Sequence, residues 1–420
     1  MTIHEQLCAA VDAAFDDEVA FLRELVQVPT DTPPGDNAPH AARAAQLLEA
    51  MGYAVERHPV PAAEVQAAGL TSITNLIVRQ RFGPGGPTIA LNAHGDVVPP
   101  GAGWTLPPYE GHIVDGRMVG RGVAVSKSDF ATYTFALRAL QSLASQAGPS
   151  LRGAIELHFT YDEEFGGELG PGWLLARGLT RPDLALAAGF SYAIVTAHNG
   201  CLQLEVTVHG RAAHAAMPET GVDALAAAIG VIKALYAERA RYATRRSQVA
   251  GIGSPTLNVG RIEGGTHTNV VPDRVSFRLD RRMIPEEDPA TVEAELRDCI
   301  GAAARVWPEA RVEVRRLLLA RALSPLPGHE ALVQALQRHA TRLVAPQVAD
   351  TGTPLYTDAR LYCEAGVPIV LYGAGPRTIL EANAKRADEN LLLDDLRKAT
   401  QVVACALADL LSPSTPASSA

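Results

Sequence analysis

The apolar positions of the chain change their rhythm twice. From residue 1 to 199, amphipathic stretches alternate with short apolar runs. The pattern predicts helices over about 4–27, 38–51, 127–146 and 170–178, and strands at 74–80, 88–94, 154–161, 184–188 and 192–197. Runs of four to seven apolar residues bounded by Gly and Pro suit strands buried on both faces, so this part reads as an α/β sheet. GPGGP at 83–87 is a turn between two of those strands.

Residues 200–316 behave differently. CLQLEVTVHG alternates apolar and polar positions, and DALAAAIGVIKALYAERARYA is a long helix. Two adjacent strands, a helix and a last strand follow, which gives β-α-β-β-α-β, the split βαβ order of ferredoxin-like domains. From 317 to 412 the first rhythm returns, ending in a helix, and 413–420 reads as a disordered tail. The fold class is therefore a mixed-sheet α/β domain, in two parts (1–199 and 317–412), interrupted by a ferredoxin-like domain at 200–316.

Composition narrows the function classes. With 46 acidic against 37 basic side chains the net charge is -9, which argues against a nucleic-acid partner. No apolar stretch reaches the ~18 residues of a membrane span. The first 25 residues are acidic and amphipathic, without the marks of a signal peptide. Cys8, Cys201, Cys299, Cys363 and Cys405 are scattered without CxxC spacing, as expected of free thiols in a cytoplasmic protein rather than of a disulfide scaffold or a cysteine-rich zinc site.

Polar residues then cluster at the predicted strand ends, where open α/β sheets bind their ligands. His94 with Asp96 is the local form of a metal ligand oriented by a carboxylate, or merely a capped strand end. Asp162, Glu163 and Glu164 crowd three acids at one strand mouth, unless they form an ordinary solvated loop. GRGVAVSKSD at 120–129 offers Gly-flanked amides that suit an anion or a helix start. The loop at 382–390 carries Lys385 and Glu389. His214, His267 and Asn269 sit in turns of the 200–316 segment, where turn chemistry alone would explain them. Arg360, next to Asp358, has the planar fork that grips a carboxylate or a local partner.

In this order and spacing, AHGD (93–96), GRG…SK (120–127), TYDEE (160–164), AHNG (197–200), GRAAH…P (211–218), GGTHTNVVPD (264–273) and TDAR (357–360) make the chain resemble the dizinc aminoacylase and carboxypeptidase G-type family. This group includes acetylornithine deacetylase and succinyl-diaminopimelate desuccinylase. The resemblance implies a catalytic domain interrupted by a lid that builds a dimer through 200–316. It also implies hydrolysis of a small carboxylate-bearing amide at two zinc ions. It makes His94 a metal ligand, Asp96 its orienter, Glu163 the general base and Glu164 a ligand. His214 becomes the lid histidine that stabilises the oxyanion, Asn269 a lid contact and Arg360 the grip on the substrate carboxylate.

Three positions depart from the family pattern. Val125 stands where the bridging Asp belongs, Gly189 where an acidic ligand belongs and Lys385 where the last His belongs. Three of five ligand positions are thus replaced, so the sequence predicts no bound metal cofactor; Asp129, about one helical turn beyond Val125, lies ~6 Å further along the axis. It leaves three functions open. Acid–base chemistry by Glu163, Glu164, His94 and Lys385 without metal would include hydrolysis or a lyase, cyclase or isomerase step, with a desolvated Lys385 of lowered pKa. A metallohydrolase with unusual ligands and a non-catalytic binder of small acids are the alternatives.

Overall fold

The computed structural model describes residues 1–145 and 151–413; most of the tail expected to be disordered, 414–420, lies outside the described residues. The chain forms two compact units. The first comprises Met1–Thr196, Pro325–Thr351 and Thr357–Ala420, and the second Ala197–Ser324 with Gly352–Tyr356.

An eight-stranded mixed sheet runs through the first unit in the order 55–59, 74–83, 153–160, 88–94, 184–187, 369–371, 193–198 and 349–353. Its central strand, Thr88–His94, is buried from Ile89 onward and lies parallel to both neighbours, Gly153–Thr160 and Leu184–Ala187. In that register His94 stands opposite Thr160. The chain therefore leaves both strands at one level, which puts His94–Asp96 beside the Asp162–Glu164 turn. Leu393–Leu411 packs against Ile3–Ala13, Lys127–Ser145 and His329–Leu343. Asp394 and Asp395 lie in its first turn, where they complement the helix dipole.

Two local features were not expected from the pattern. The helix predicted over 4–27 is two helices, Ile3–Ala13 and Phe15–Val26, because the backbone leaves helical geometry at Ala14. A small antiparallel sheet of His112–Val114, Arg117–Val119 and Asn390–Leu392 pairs Asn390 with Val119. Three-residue strands are too short to show a period of two, yet this pairing carries Glu389 to the Gly120–Gly122 turn.

The second unit is a four-stranded antiparallel sheet in the order 256–264, 274–283, 200–209 and 311–320. Helices Ala224–Arg241 and Pro289–Ala304 contribute Ala227, Val231, Leu235, Val292, Leu296 and Ile300 to a core with Leu202, Val206, Phe277 and Leu279. Asp223 and Asp288 cap these helices by accepting hydrogen bonds from backbone N–H groups of the first turn. The β-α-β-β-α-β order is that of the ferredoxin-like fold. Among the described residues, no helix is long and apolar enough to cross a membrane.

Candidate active site

His94 ends its strand almost fully buried. Ser126 brackets its backbone: the His94 N–H donates to Ser126 Oγ at 3.1 Å, and the Ser126 hydroxyl donates to His94 O at 3.2 Å. Its Nδ1 lies 3.0 Å from Asp96 O and 3.3 Å from Asp96 Oδ1, while Nε2 faces Glu163 Oε2 at 3.8 Å. Burial opposes a charge on this ring, but Glu163, Asp96 and Glu164 outweigh it and lift the pKa to about 10. The imidazole is a cation at neutral pH.

Asp96 does more than face the imidazole. Its Oδ1 accepts from the Glu163 N–H at 3.2 Å and its Oδ2 from the Glu164 N–H at 3.0 Å, so one carboxylate fixes the turn that bears both glutamates. Burial and repulsion from Glu164 and Asp96 raise Glu163 to about 7, against the attraction of His94 and Lys385. Glu164 pairs with the Lys385 ammonium at 2.6 Å. The loop carrying Lys385 bends through left-handed backbone at Asn383, Lys385 and Asp388.

The anion expected on the 120–129 turn is internal to the chain. Glu389 Oε1 accepts from the Gly122 and Ala124 N–H groups at 3.0 and 3.1 Å, and Oε2 pairs with Arg121, both side chains being buried. Next in the chain, Lys127 is buried and donates to Val28 O at 2.9 Å and Leu25 O at 3.3 Å. Burial pulls its pKa down to about 7.

Asp358 joins Asp162 and Glu163 in a carboxylate cluster, a partner that single motifs did not disclose. Asp162 Oδ2 accepts from the Leu169 N–H at 2.5 Å while Oδ1 has no partner, and burial lifts its pKa to about 8. Asp358 is raised well above the usual carboxylate range by burial and by repulsion from Glu163 and Asp162. It packs so closely on Gly167, at φ +77°, that any side chain there would strike its carboxylate. TDAR was legible as a motif; which of its two charged residues faced the site was not.

Two expectations are corrected by geometry. Arg360 is only 2% exposed, with its guanidinium held by Glu168 at 3.0 Å, Glu364 at 3.1 Å and the Gly166 carbonyl. It secures the turn after Glu164 and has no free fork for a substrate carboxylate. Lys385 does not have a lowered pKa: burial pulls it down, but Glu164 and Glu163 outweigh burial and raise it, so the group is a cation and not a free amine. On the second unit, His214 and Asn269 are both exposed. His214 Nδ1 accepts from the Ala216 N–H at 3.0 Å, and Asn269 Oδ1 lies 2.6 Å from His267 Nδ1.

The positions that would build a two-metal centre are altered. Val125 offers no ligand atom, and Lys385 places a cation on Glu164. A Cβ on Gly189 would lie 2.6 Å from the Tyr372 backbone nitrogen, so this backbone admits no acidic side chain there. Asp129 is no substitute, since its Oδ1 accepts from the Ala374 N–H at 2.8 Å in a fully enclosed setting. Among the described residues, no three His, Cys, Asp or Glu side chains around His94 bring one ligand atom each within 4.8 Å of one another. His94, Asp96, Glu163 and Glu164 remain around the site as imidazole and carboxylate groups.

The chain combines a mixed α/β sheet, a buried His–carboxylate site at the ends of parallel strands and a separate ferredoxin-like unit. Residues 90–409 match the model of peptidase family M20/M25/M40, and the chain belongs to that family. It is 30% identical over 411 residues to a succinyl-diaminopimelate desuccinylase of Methylobacterium, covering 95% of this chain and 97% of the relative. The structure of a di-peptidase from Saccharomyces cerevisiae superposes with a TM-score of 0.81 at 14% identity, over 99% of this chain and 100% of the other. A Bacillus subtilis protein described as a dinuclear metal binding peptidase of the M20 family superposes with a TM-score of 0.64 at 18% identity, over 95% and 99% of the two chains.

Membership of this family overturns the expectation that the chain has no metal cofactor. Dinuclear metal binding is found within the family. The lyase, cyclase and isomerase alternatives find no support among these relatives. The chain is a hydrolase of the M20 peptidase family.

Proposed function

We propose that the chain hydrolyses the amide bond of a small carboxylate-bearing substrate, an N-acyl amino acid or a dipeptide-like molecule, with Glu163 moving the proton. The observation that carries this reading is the Glu163 carboxyl: buried, turned toward a cationic His94 at 3.8 Å, anchored through its backbone by Asp96, and raised to about 7. A group divided between acid and base near neutral pH is what proton transfer in both directions requires. As water adds to the carbonyl carbon, its proton passes to Glu163. The same proton goes to the departing nitrogen as the C–N bond breaks. The His94 imidazolium and the Lys385 ammonium favour the negative charge that builds on the carbonyl oxygen.

Relatives named for desuccinylase and di-peptidase activity support a substrate of this size. His214 and Asn269 are the substrate contacts we assign to the second unit. We also propose a cytoplasmic homodimer. Its cysteines are all free, and the second unit exposes Ile229 and Ile262, the latter on the edge strand 256–264. Light scattering should give twice the mass of one chain.

The activity test offers N-succinyl and N-acetyl amino acids and dipeptides to the purified protein, with Zn2+, Co2+ or Mn2+ supplied in parallel, and measures the released amine. Glu163→Gln should lower kcat by about 10²–10⁴-fold. Unchanged turnover in that variant, or none by the parent protein across the panel, overturns the proposal.

A further inference from the structure

Three helices of the first unit, Ile3–Ala13, His329–Leu343 and Leu393–Leu411, bring together a side-chain group that takes no part in the chemistry above. His4 Nε2 lies 2.8 Å from Asp409 Oδ1, and His339 Nε2 lies 2.9 Å from Asp409 Oδ2. The two imidazole rings are 4.5 Å apart at their centroids, and the three potential ligand atoms all lie within 4.8 Å of one another. We propose that His4, His339 and Asp409 are a binding site for one divalent transition-metal ion of the zinc class.

Two imidazole nitrogens and a carboxylate oxygen are a three-ligand zinc set, and small side-chain rotations would bring the three atoms to ~2.0–2.2 Å from a common ion. Each ligand comes from a different helix, so the site is held by packed elements and not by a loop. His339 is 2% exposed, whereas the His4 side chain is 30% exposed, which leaves a side open for a water as fourth ligand.

One turn along the same helices, Cys8 and Cys405 bring their sulfurs within 4.0 Å, and Cys405 Sγ lies 3.8 Å from the His4 carbonyl. A strip of nitrogen, sulfur and a single carboxylate favours a borderline-soft ion over magnesium or calcium. The competitor is Arg338, whose guanidinium meets Asp409 Oδ2 at 2.5 Å.

The test uses the full chain without an affinity tag, carrying His94→Ala so that uptake around His94 is reduced, and measures Zn2+ binding by equilibrium dialysis. Adding His4→Gln should weaken binding of one Zn2+ at least tenfold and abolish the Zn2+-dependent rise in Tm. Arg338→Ala, at a side chain 63% exposed, should tighten it by freeing the carboxylate. Melting without metal confirms that each variant is folded. Zn2+ stoichiometry and affinity unchanged in both folded variants would overturn the site.

Discussion

Glu163 lies within reach of two cations and several acids, and its proton affinity is the balance of their fields. Burial, Glu164 and Asp96 raise it, whereas His94 and Lys385 lower it. Lys385→Met removes one lowering charge, so the Glu163 pKa must rise. The ascending limb of kcat/KM against pH should move upward by roughly half to one unit, a small shift because the ammonium is half-exposed and screened. A limb that stays in place would mean that Glu163 does not set it. At this scale the sequence was informative wherever a residue's role follows from its neighbours in the chain. His94 and Asp96, two residues apart, place Nδ1 3.3 Å from Oδ1, whereas Lys385 reaches Glu164 at 2.6 Å from 221 residues away. Arg360 was misread because TDAR does not reveal whether its guanidinium faces the site or the interior. That depended on Glu168 and Glu364, which only the folded turn and helix bring to it.

Elements hold these residues through contacts that single segments do not announce. The turn 120–126, which carries the serine bracketing His94, is tied down from 268 residues away by the Arg121–Glu389 pair and by two amides on Glu389. A buried ion pair adds little net stability, but removing one partner strands the other charge, at a cost of about 3–5 kcal/mol. Arg121→Ala should therefore lower the urea-unfolding free energy by about that amount. Glu389→Gln, which keeps an acceptor for Gly122 and Ala124, should show a smaller loss. Equal, negligible losses would mean that the pair does not hold the turn. The long buried strands and the β-α-β-β-α-β order could be read from hydrophobic period, since each presents several turns or alternations. The three-residue strands at 112–114, 117–119 and 390–392 could not, because pairing across the chain and not local pattern creates them.

Across the whole molecule, the buried acids set how stability responds to pH. Glu163, Asp162, Asp129 and Glu18 all have folded-state pKa values raised, to about 7, 8, 7 and 8. Each binds more protons in the folded than in the unfolded chain between its ordinary value and its raised one. Stability must therefore fall as pH rises from about 4 to about 8. Glu156 and Asp409, both held at about 2, act in the opposite sense and lower, losing their contribution as pH drops from the ordinary carboxylate range toward 2. Above pH 7 two buried bases oppose each other: His94, raised to about 10, loses its contribution as pH climbs, while Lys127, lowered to about 7, gains. The maximum then lies in mildly acidic solution, with Tm higher at pH 5 than at pH 8. Glu18 isolates one part of this effect outside the candidate site. It is fully buried on helix Phe15–Val26, with Oε1 2.5 Å from the Thr400 hydroxyl and Oε2 without a partner. Its charge is thus suppressed by burial, which is the first and largest cause of its shift. Glu18→Gln keeps the shape and a partner for Thr400 but removes the titration. The variant should gain on the order of 3–4 kcal/mol relative to the parent between pH 5 and pH 8, read from urea unfolding at both values. If the pH dependence of the two proteins is the same, Glu18 is ionised in the folded state and burial does not govern its proton.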